Sequence, residues 1–310
     1  MSRNSIHPAT PLISGLITSL AFLSGAAAFE IGRAAAEADP RPAETWTASA
    51  EPAPPAASIS PQPAESAVID TRPVVALVMD DAGIDPQLTR RAMALDIPLT
   101  LSFLPYAEQT PELAVMADAQ GHAVFLHMPM EPFGLEDPGP GALNRYLPPV
   151  ETARRIEAAL ARVPGAIGLN NHMGSAFTAD ADAMRAALGP LAGRDLIFLD
   201  SLTTGRSRAG MIARTLGLTT LRRDIFIDHD AGNMPAMLDA LVEAAHRNGQ
   251  AIAIGHPRGG TLDVLETWLE TEAARSVRFV TIQDYADRGQ QPVRAAGASD
   301  ESMGLFGGAE

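Results

Sequence analysis

"VVALVMDDAG", the stretch from Val74 to Gly83, is an apolar run that ends in two adjacent carboxylates, Asp80 and Asp81. Like charges at the end of a buried strand are costly, because both lose water and each opposes ionisation of the other. One of them could cap the next helix, but Asp85 already stands before Pro86 as a cap. A cation bound beside the carboxylates would remove the cost. The stretch therefore predicts a buried strand that leads into a metal site.

Seven more apolar runs follow, and segments with helical spacing of apolar residues separate them. The eight candidate strands are Val74–Met79, Leu99–Leu104, Ala123–Met128, Ala166–Asn170, Leu196–Asp200, Ile225–Asp228, Ala251–Gly255 and Val277–Ile282. Helical spacing is clearest in residues 151–163 and 237–249, and Thr110 before Pro111 indicates another cap. Because parallel neighbours need a crossover, this alternation predicts an α/β fold with a parallel sheet. Seven or eight units favour a (β/α)7-8 barrel, with an open doubly wound sheet as the alternative.

The composition excludes several classes of function. The chain has 310 residues and 46% apolar content, enough to fill a core. Its formal charge of −14 argues against nucleic acid as a partner, because nucleic acids are bound by an excess of Lys and Arg. Since the chain has no cysteine, thiol nucleophiles, iron–sulfur clusters and Cys-ligated zinc are excluded. Metal ligands would have to be His, Asp, Glu or backbone oxygens.

The chain divides into four parts by composition. Residues 1–33 contain an uncharged apolar run, Pro11 to Phe29, which predicts an export signal or a membrane anchor. Residues 34–72 are rich in Ala and Pro and predict a disordered linker, residues 73–289 predict the folded domain, and residues 290–310 predict a disordered tail. Either interpretation of the apolar run places the domain in the periplasm, as a soluble protein or anchored to the inner membrane.

Polar side chains end most of the predicted strands. They are Asp80, Asp81, His127, Asn170, Asn171, His172, Asp200, Ser201, Asp228, His229, Asp230 and His256, and they include four of the seven histidines. A single aspartate after a strand is usually a helix cap, and a single histidine there is usually structural. In parallel α/β folds, however, the carboxyl ends of the strands form one rim that binds the ligand. Carboxylates and imidazoles on one rim predict a divalent metal with an open position for water.

The order of five motifs resembles a known family. "MDDAG", "FLHMPMEP", "GLNNHMGS", "FLDS" and "AIGHPRGG" follow one another as in the divergent polysaccharide deacetylases, the YibQ-like branch of the NodB-type carbohydrate deacetylases. The resemblance covers residues 72 to 287. It implies a distorted (β/α) barrel that is exported to the bacterial envelope.

The resemblance also implies roles for individual residues. In NodB-type enzymes the first strand ends in a base and a metal ligand, which implies Asp80 as the base and Asp81 as a ligand. The third strand of those enzymes supplies a His-x-x-x-His pair, of which His127 matches the first member and Glu131 stands at the second. The Arg-Pro-Pro-Tyr segment of the family is replaced by "NHMGS", so His172 is implied as the remaining imidazole ligand.

The late family histidine, which protonates the leaving amine, would be His256. Asp200 is expected either to orient His256 or to bind a sugar hydroxyl. Arg258 is expected either to contact an anionic group of the substrate or to neutralise Asp263 or Asp228. The additional candidates on this rim are Glu131, Asn171, Asp228 and His229.

Two functions of different classes follow. The first is a metal-dependent hydrolase, with zinc as the expected ion, that removes N-acetyl groups from an envelope polysaccharide. The alternative is an envelope protein that binds glycan or a protein partner through the same rim without turnover. A metal phosphoesterase is a third interpretation, and Asp228, His229 and Asp230 are its only candidates for a second metal cluster.

Overall fold

The computed structural model describes residues 70–290. The predicted signal or anchor, most of the predicted linker and the predicted tail beyond Gln290 lie outside the described residues. Within residues 70–290, every helix is too short or too polar to cross a membrane.

Strands and helices alternate along the described chain. The strands are β1 (Val74–Ala82), β2 (Thr100–Phe103), β3 (Ala123–Met130), β4 (Gly168–Met173), β5 (Ile197–Asp200), β6 (Thr219–Arg222), β7 (Ile225–Phe226), β8 (Gln250–Gly255) and β9 (Arg278–Val280). The α-helices are α1 (Pro86–Met93), α2 (Thr110–Ala119), α3 (Pro149–Arg162), α4 (Ala181–Leu188), α5 (Ala209–Thr215), α6 (Met234–Asn248), α7 (Gly259–Trp268), α8 (Glu272–Arg275) and α9 (Ile282–Gln290). All eight predicted strands are confirmed, and β6 is an additional one that its polar sequence concealed.

The helix caps follow the predicted pattern at one site and depart from it at another. Asp85 is confirmed as the cap of α1, because its Oδ1 accepts hydrogen bonds from the N–H groups of Gln87 and Leu88. The prediction for Thr110 is wrong, since this residue is already helical and its hydroxyl donates instead to the carbonyl oxygen of Leu104 at 2.7 Å.

The sheet closes through a single chain segment. Eight of its nine strands follow the order β6-β5-β4-β3-β2-β1-β8-β7, and β9 pairs with β1 off this path. Every pair is parallel, and β6 and β7 lie at opposite ends of the order. A flat sheet would separate these strands by roughly 34 Å, yet only Arg223 and Asp224 connect them. The Arg223 N–H donates to the carbonyl oxygen of Asp200 on β5, and the Asp224 N–H donates to that of Ile252 on β8. The sheet is therefore curled into a distorted parallel barrel, as predicted, and the open doubly wound alternative is wrong.

The interior of the barrel is apolar at its amino end. Val74, Ala76 and Val78 of β1 pack inside, whereas the residues between them pack against the surrounding helices. Helix α9 contributes Ile282 and Tyr285 to the same interior cluster. Burial of each large aliphatic side chain contributes about 1.5–3 kcal/mol, so this cluster is the stable base on which the opposite end is built.

The interior becomes polar at its carboxyl end. The buried side chains there are Asp80, Ser102, His127, Asn170 and Ser201, and His256 lies at their edge. Side chains alternate between the two faces of a strand, so these residues continue the inward positions of the apolar cluster. The barrel thus holds a polar layer at the rim where parallel α/β folds bind their ligands.

Candidate active site

A bulge in β1 brings both adjacent aspartates to the rim. Strict alternation would point Asp81 away from Asp80, toward the helices. Met79 pairs with Leu101 and Ala82 pairs with Phe103, so β1 has one residue more than β2 in this interval. The backbone turns at Asp81, within this bulge, where φ is 59°. This left-handed conformation costs an ordinary residue about 1–2 kcal/mol and aspartate less. The bulge turns the Asp81 carboxylate back to the centre.

Three ligand atoms converge at this point. The Oδ1 of Asp81 lies 2.9 Å from Nδ1 of His172 and 3.4 Å from Nε2 of His127, and the two nitrogens are 3.2 Å apart. His127 and His172 come from β3 and β4, which are neighbours in the sheet. Asp81 Oδ1 is buried and has no hydrogen-bond partner in the described structure. A buried carboxylate oxygen without a donor, facing two imidazole nitrogens, is an arrangement that a cation would stabilise.

The donor set fits a divalent cation. Tetrahedral coordination with bonds of about 2.0–2.1 Å places neighbouring ligand atoms about 3.3 Å apart, and the three separations here are 2.9, 3.2 and 3.4 Å. One carboxylate and two imidazoles suit zinc and other borderline metals. Within residues 70–290, Asp81, His127 and His172 form the one group of three such side chains close enough to share an ion.

The two aspartates have opposite electrostatic environments. Burial raises the pKa of Asp81, but His127 and His172 outweigh it and hold that pKa well below its usual range. Asp80 is only 3% exposed. Burial raises the pKa of Asp80 above its usual range, against the lowering effects of His127, His256 and Asn170. Asp81 is thus the carboxylate that stays ionised, and Asp80 is the one that takes a proton more readily.

His256 stands on the other side of Asp81. Its Nδ1 lies 3.0 Å from Oδ1 of Asp228, and its backbone N–H donates to Oδ2 of the same aspartate at 2.8 Å. Thr261 donates its hydroxyl to that Oδ2 as well. The pKa of Asp228 is raised by burial and lowered more strongly by His256, so it lies below its usual range. The free edge of the ring faces the centre, because Nε2 of His256 lies 3.7 Å from Oδ2 of Asp81.

Comparison with known proteins agrees with this fold. A family model of the divergent polysaccharide deacetylases matches residues 77–286. The chain belongs to the divergent polysaccharide deacetylase family.

Two curated proteins and one solved structure are similar to this chain. The uncharacterised protein YibQ of Escherichia coli K12 is 32% identical over 194 residues, which cover 62% of this chain and 61% of YibQ. An uncharacterised Haemophilus influenzae protein is 35% identical over 197 residues, 63% of this chain and 70% of the relative. The crystal structure of an uncharacterised Agrobacterium tumefaciens C58 protein has a TM-score of 0.65 at 25% identity and covers 69% of this chain and 89% of that one. The match thus spans about three fifths of the E. coli relative.

In this member of the deacetylase family, Glu131 lies outside the ligand cluster. Both of its carboxylate oxygens accept hydrogen bonds from the guanidinium of Arg145, each at 3.1 Å. The backbone N–H of Arg145 also donates to Oε2 of Glu131, at 2.9 Å. Arg145 lowers the pKa of Glu131. The backbone N–H of Glu131 also donates to the carbonyl oxygen of Leu143. The structure therefore corrects the placement of Glu131 at the site, because it holds the ends of the loop between β3 and α3 together.

Asp200 also differs from expectation. Its Oδ1 accepts the N–H of Leu202 at 2.9 Å and its Oδ2 accepts the hydroxyl of Ser207 at 2.7 Å, so it organises the turn after β5. The carboxylate that contacts His256 is Asp228, and the orienting role predicted for Asp200 is wrong. The predicted contact of Asp200 with a sugar hydroxyl stays a prediction.

The remaining candidates surround the centre without joining the ligand cluster. Asn171 accepts the Ser201 N–H at 3.0 Å and donates to the carbonyl oxygen of Met173 at 2.7 Å, so it ties the ends of β4 and β5 together. His229 is exposed and stacks on Phe226 with ring centroids 5.7 Å apart.

Arg258 is the N-cap residue that precedes α7, and its backbone N–H donates to the carbonyl oxygen of His256 at 2.8 Å. Among residues 70–290, neither predicted carboxylate forms an ion pair with it, because Asp263 pairs with Arg91 at 2.6 Å and Asp228 contacts His256. The prediction that Arg258 neutralises one of them is wrong. A contact with an anionic substrate stays a prediction.

Asn170 is the site residue whose role the sequence did not reveal. It ends a predicted strand, but nothing in its neighbourhood along the chain indicates its partners. Its amide contacts both Asp80 and His127, at 2.8 Å each. The available signal was its inward position on β4, two residues before His172.

Proposed function

We propose that the protein is a metal-dependent hydrolase that removes N-acetyl groups from a carbohydrate of the bacterial envelope. The observation that carries this proposal is the position of the ligand cluster between two groups suited to proton transfer. Asp80 Oδ2 lies 3.6 Å from His127 Nε2 on one side, and His256 Nε2 lies 3.7 Å from Asp81 Oδ2 on the other. Amide hydrolysis needs this combination, because a proton leaves the attacking water and another must reach the departing nitrogen.

Asp81, His127 and His172 are the residues that would hold the cation, with zinc as the expected ion. A divalent cation bound there supplies Lewis-acid polarisation of the substrate carbonyl and lowers the pKa of nearby water. Membership of the deacetylase family supports a hydrolase of this kind.

Asp80 is the proposed general base. Its Oδ1 accepts a hydrogen bond from Asn170, which leaves Oδ2 on the side of the ligand cluster. Burial raises the pKa of Asp80, and a base works best when its pKa lies nearer to the working pH. In the reaction it takes the proton of the water whose oxygen forms the new bond to the acetyl carbon.

His256 is the proposed general acid. Asp228 accepts a hydrogen bond from Nδ1 of the ring, so Nε2 is the ring nitrogen that faces the centre. Phe226 packs on the ring with centroids 5.4 Å apart. When the carbon–nitrogen bond breaks, the Nε2 proton passes to the leaving nitrogen, and acetate and the free amine are the products.

The proposed substrate and location rest on the charge and on the N-terminal sequence. A chain with a formal charge of −14 is compatible with an uncharged or cationic glycan. The apolar run from Pro11 to Phe29 supports a periplasmic location, with or without an anchor in the inner membrane.

The test begins with metal content. The full-length protein, its Asp81→Ala, His127→Ala and His172→Ala variants, and a His246→Ala control on the exposed end of α6 are purified and analysed for divalent metals. We expect near-stoichiometric metal in the wild type and the control and its loss in the three ligand variants. The metal-loaded protein is then assayed for acetate release from N-acetylated oligosaccharides, with Asp80→Asn as the inactive variant.

Two results would overturn the proposal. A folded wild type that binds no divalent ion removes the first requirement of the mechanism. A metal-loaded wild type that binds N-acetylated glycans but releases no acetate supports the alternative, in which the family fold is kept as a binding protein.

A further inference from the structure

Asn170 lies at the centre of the polar layer. It is fully buried on β4 and pairs across the sheet with His127 on β3. Its amide oxygen accepts a hydrogen bond from the Ser102 hydroxyl at 2.5 Å and lies 2.8 Å from Nδ1 of His127. Its amide nitrogen donates to Asp80 Oδ1 at 2.8 Å and to the Ser201 hydroxyl at 3.1 Å. A primary amide has two donor and two acceptor positions, and all four are used here.

These partners determine which way the amide faces. Ionised Asp80 can only accept, so the NH2 group of Asn170 must face it, and the amide oxygen must face His127. An oxygen 2.8 Å away then requires a proton on Nδ1 of His127. In a neutral imidazole the other nitrogen, Nε2, is left with its lone pair. That lone pair is the one at the ligand cluster, 3.4 Å from Asp81 Oδ1.

We propose that Asn170 is a positioning residue that couples the base to the metal ligand, an inference that rests on the metal centre proposed above. With its oxygen it holds His127 in the tautomer that presents Nε2. With its nitrogen it holds Oδ1 of Asp80 and leaves Oδ2 toward the centre. One buried side chain therefore sets both the ligand tautomer and the oxygen that acts as base.

Aspartate or an apolar residue at this position would lose part of the arrangement. An ionised aspartate has no donor for Asp80, and an apolar residue would leave Asp80 Oδ1 and His127 Nδ1 without the partner that Asn170 provides. A buried polar group that loses its partner costs about 1–3 kcal/mol. Partners of metal-bound histidines typically contribute a factor of about 10–100 to metal affinity.

Two substitutions separate the two halves of the proposed role. Asn170→Asp keeps an oxygen for His127 and removes the donor to Asp80, whereas Asn170→Ala removes both. Thr100→Val is the matched control, because Thr100 is also fully buried and accepts the Ile282 N–H at 3.0 Å, but at the amino end of the barrel. Urea unfolding of all three variants shows whether each is folded and how far its stability falls.

Zinc affinity is measured by calorimetric titration of the chelator-stripped, full-length protein. We expect Asn170→Ala to bind zinc about 10–100-fold more weakly than wild type. Thr100→Val should bind zinc as wild type does, and Asn170→Asp should bind it no more weakly than wild type, because it keeps an oxygen for His127. In the acetate-release assay, Asn170→Asp should lower kcat even when zinc is saturating, because only the base has lost its partner.

The tautomer of His127 is read in the zinc-free protein, at a pH alkaline enough for the ring to be neutral, by long-range proton–nitrogen correlation spectra of the imidazole rings, assigned with His127→Ala. We expect the Nδ1–H tautomer in the wild type and in Asn170→Asp, and its loss in Asn170→Ala. An Nε2–H tautomer in the wild type, or wild-type zinc affinity in folded Asn170→Ala, would overturn the proposal. A wild type with the Nδ1–H tautomer that binds no zinc would instead overturn the metal-dependent function and support the orientation of Asn170.

Discussion

Asp228 contacts His256 through both of its carboxylate oxygens. Its Oδ1 lies 3.0 Å from the ring Nδ1, and its Oδ2 accepts the backbone N–H of the same histidine at 2.8 Å. The pair joins the end of β7 to the end of β8. The backbone hydrogen bond fixes the distance between Asp228 and the main chain of His256. The contact with Nδ1 then sets the orientation of the ring and so the direction in which Nε2 points. The acid proposed for the reaction is therefore held by its neighbour across the sheet.

Asp228→Asn should lower kcat for acetate release by a factor on the order of 10²–10⁴, the usual contribution of a general acid. An amide can donate to Nδ1 and favours the wrong tautomer of His256. Steady-state kinetics on the metal-loaded protein measure the effect. Thr261→Val is the control, since it removes one hydrogen bond to Asp228 and leaves His256 in contact with the carboxylate. Equal kcat in wild type and Asp228→Asn would contradict the assignment of His256.

Zinc should stabilise the fold through the ligand cluster. A ligand that binds only the native state at about 100 times its Kd adds about 2.7 kcal/mol to the free energy of unfolding, and this raises the Tm of a domain of this size by about 5–10 °C. Thermal unfolding of the chelator-treated protein with and without added zinc measures the shift. Asp81→Asn should abolish it, and His246→Ala should keep it. A shift that persists in Asp81→Asn would place the zinc elsewhere.

Stability should fall in mildly acidic solution because of His122. Its Nδ1 accepts the Leu99 N–H at 3.2 Å and its Nε2 lies 3.0 Å from the carbonyl oxygen of Met93, an arrangement that needs the neutral ring. Burial lowers the pKa of His122 below its ordinary value of 6.5, and the contact with Met93 opposes this only in part. The unfolded chain then binds a proton before the folded one does. The contribution is complete above the unfolded pKa and is lost as the pH falls from there through the folded pKa.

Urea unfolding of the chelator-treated protein on both sides of that pH window measures this loss. In His122→Gln the difference between the two conditions should be smaller, whatever the absolute stability of the variant. The same difference in wild type and variant would show that other groups cause the pH dependence.

Gly83→Ala should destabilise the turn after the bulge. Gly83 has φ of 97°, and a Cβ there would lie 2.6 Å from Oγ1 of Thr110 and 3.2 Å from Cβ of Ala107. Left-handed strain and overpacking together should cost about 2–4 kcal/mol. Gly217→Ala separates the two effects, because Gly217 has φ of 78° and open space around its Cβ position. Denaturant unfolding should show a clearly larger loss for Gly83→Ala, and equal losses would mean that the neighbours of Gly83 adjust without cost.

Much of the site could be predicted from where strands end. Asp80, His127 and His256 continue the inward positions of their strands, so an apolar run followed by a polar residue already indicates the rim. His172 follows the same rule on β4. Predicting the position of these residues requires only local periodicity and a parallel arrangement of the strands, and both can be inferred from one sequence.

The remaining features depend on contacts between distant parts of the chain. Asp200 and Asp228 both follow predicted strands, and only the strand order shows that β7, not β5, lies beside the strand of His256. That order results from closure through β6 and β7, and β6 has no apolar run to reveal it. Likewise, Glu131 forms its ion pair with Arg145, fourteen positions further along a loop. The loop has no periodicity, so the sequence does not indicate this contact.

The segment that closes the barrel also bears on how the protein avoids its own aggregation. Unpaired strand edges are templates for other chains, and long, flat edges are the most hazardous. Here the two end strands are short: β6 pairs with β5 over four residues, and β7 pairs with β8 over only two. Arg222 and Arg223 place two positive charges at the crossing point. The rim that carries the ligand cluster is thus built on a sheet whose end strands, β6 and β7, offer a second copy only short edges.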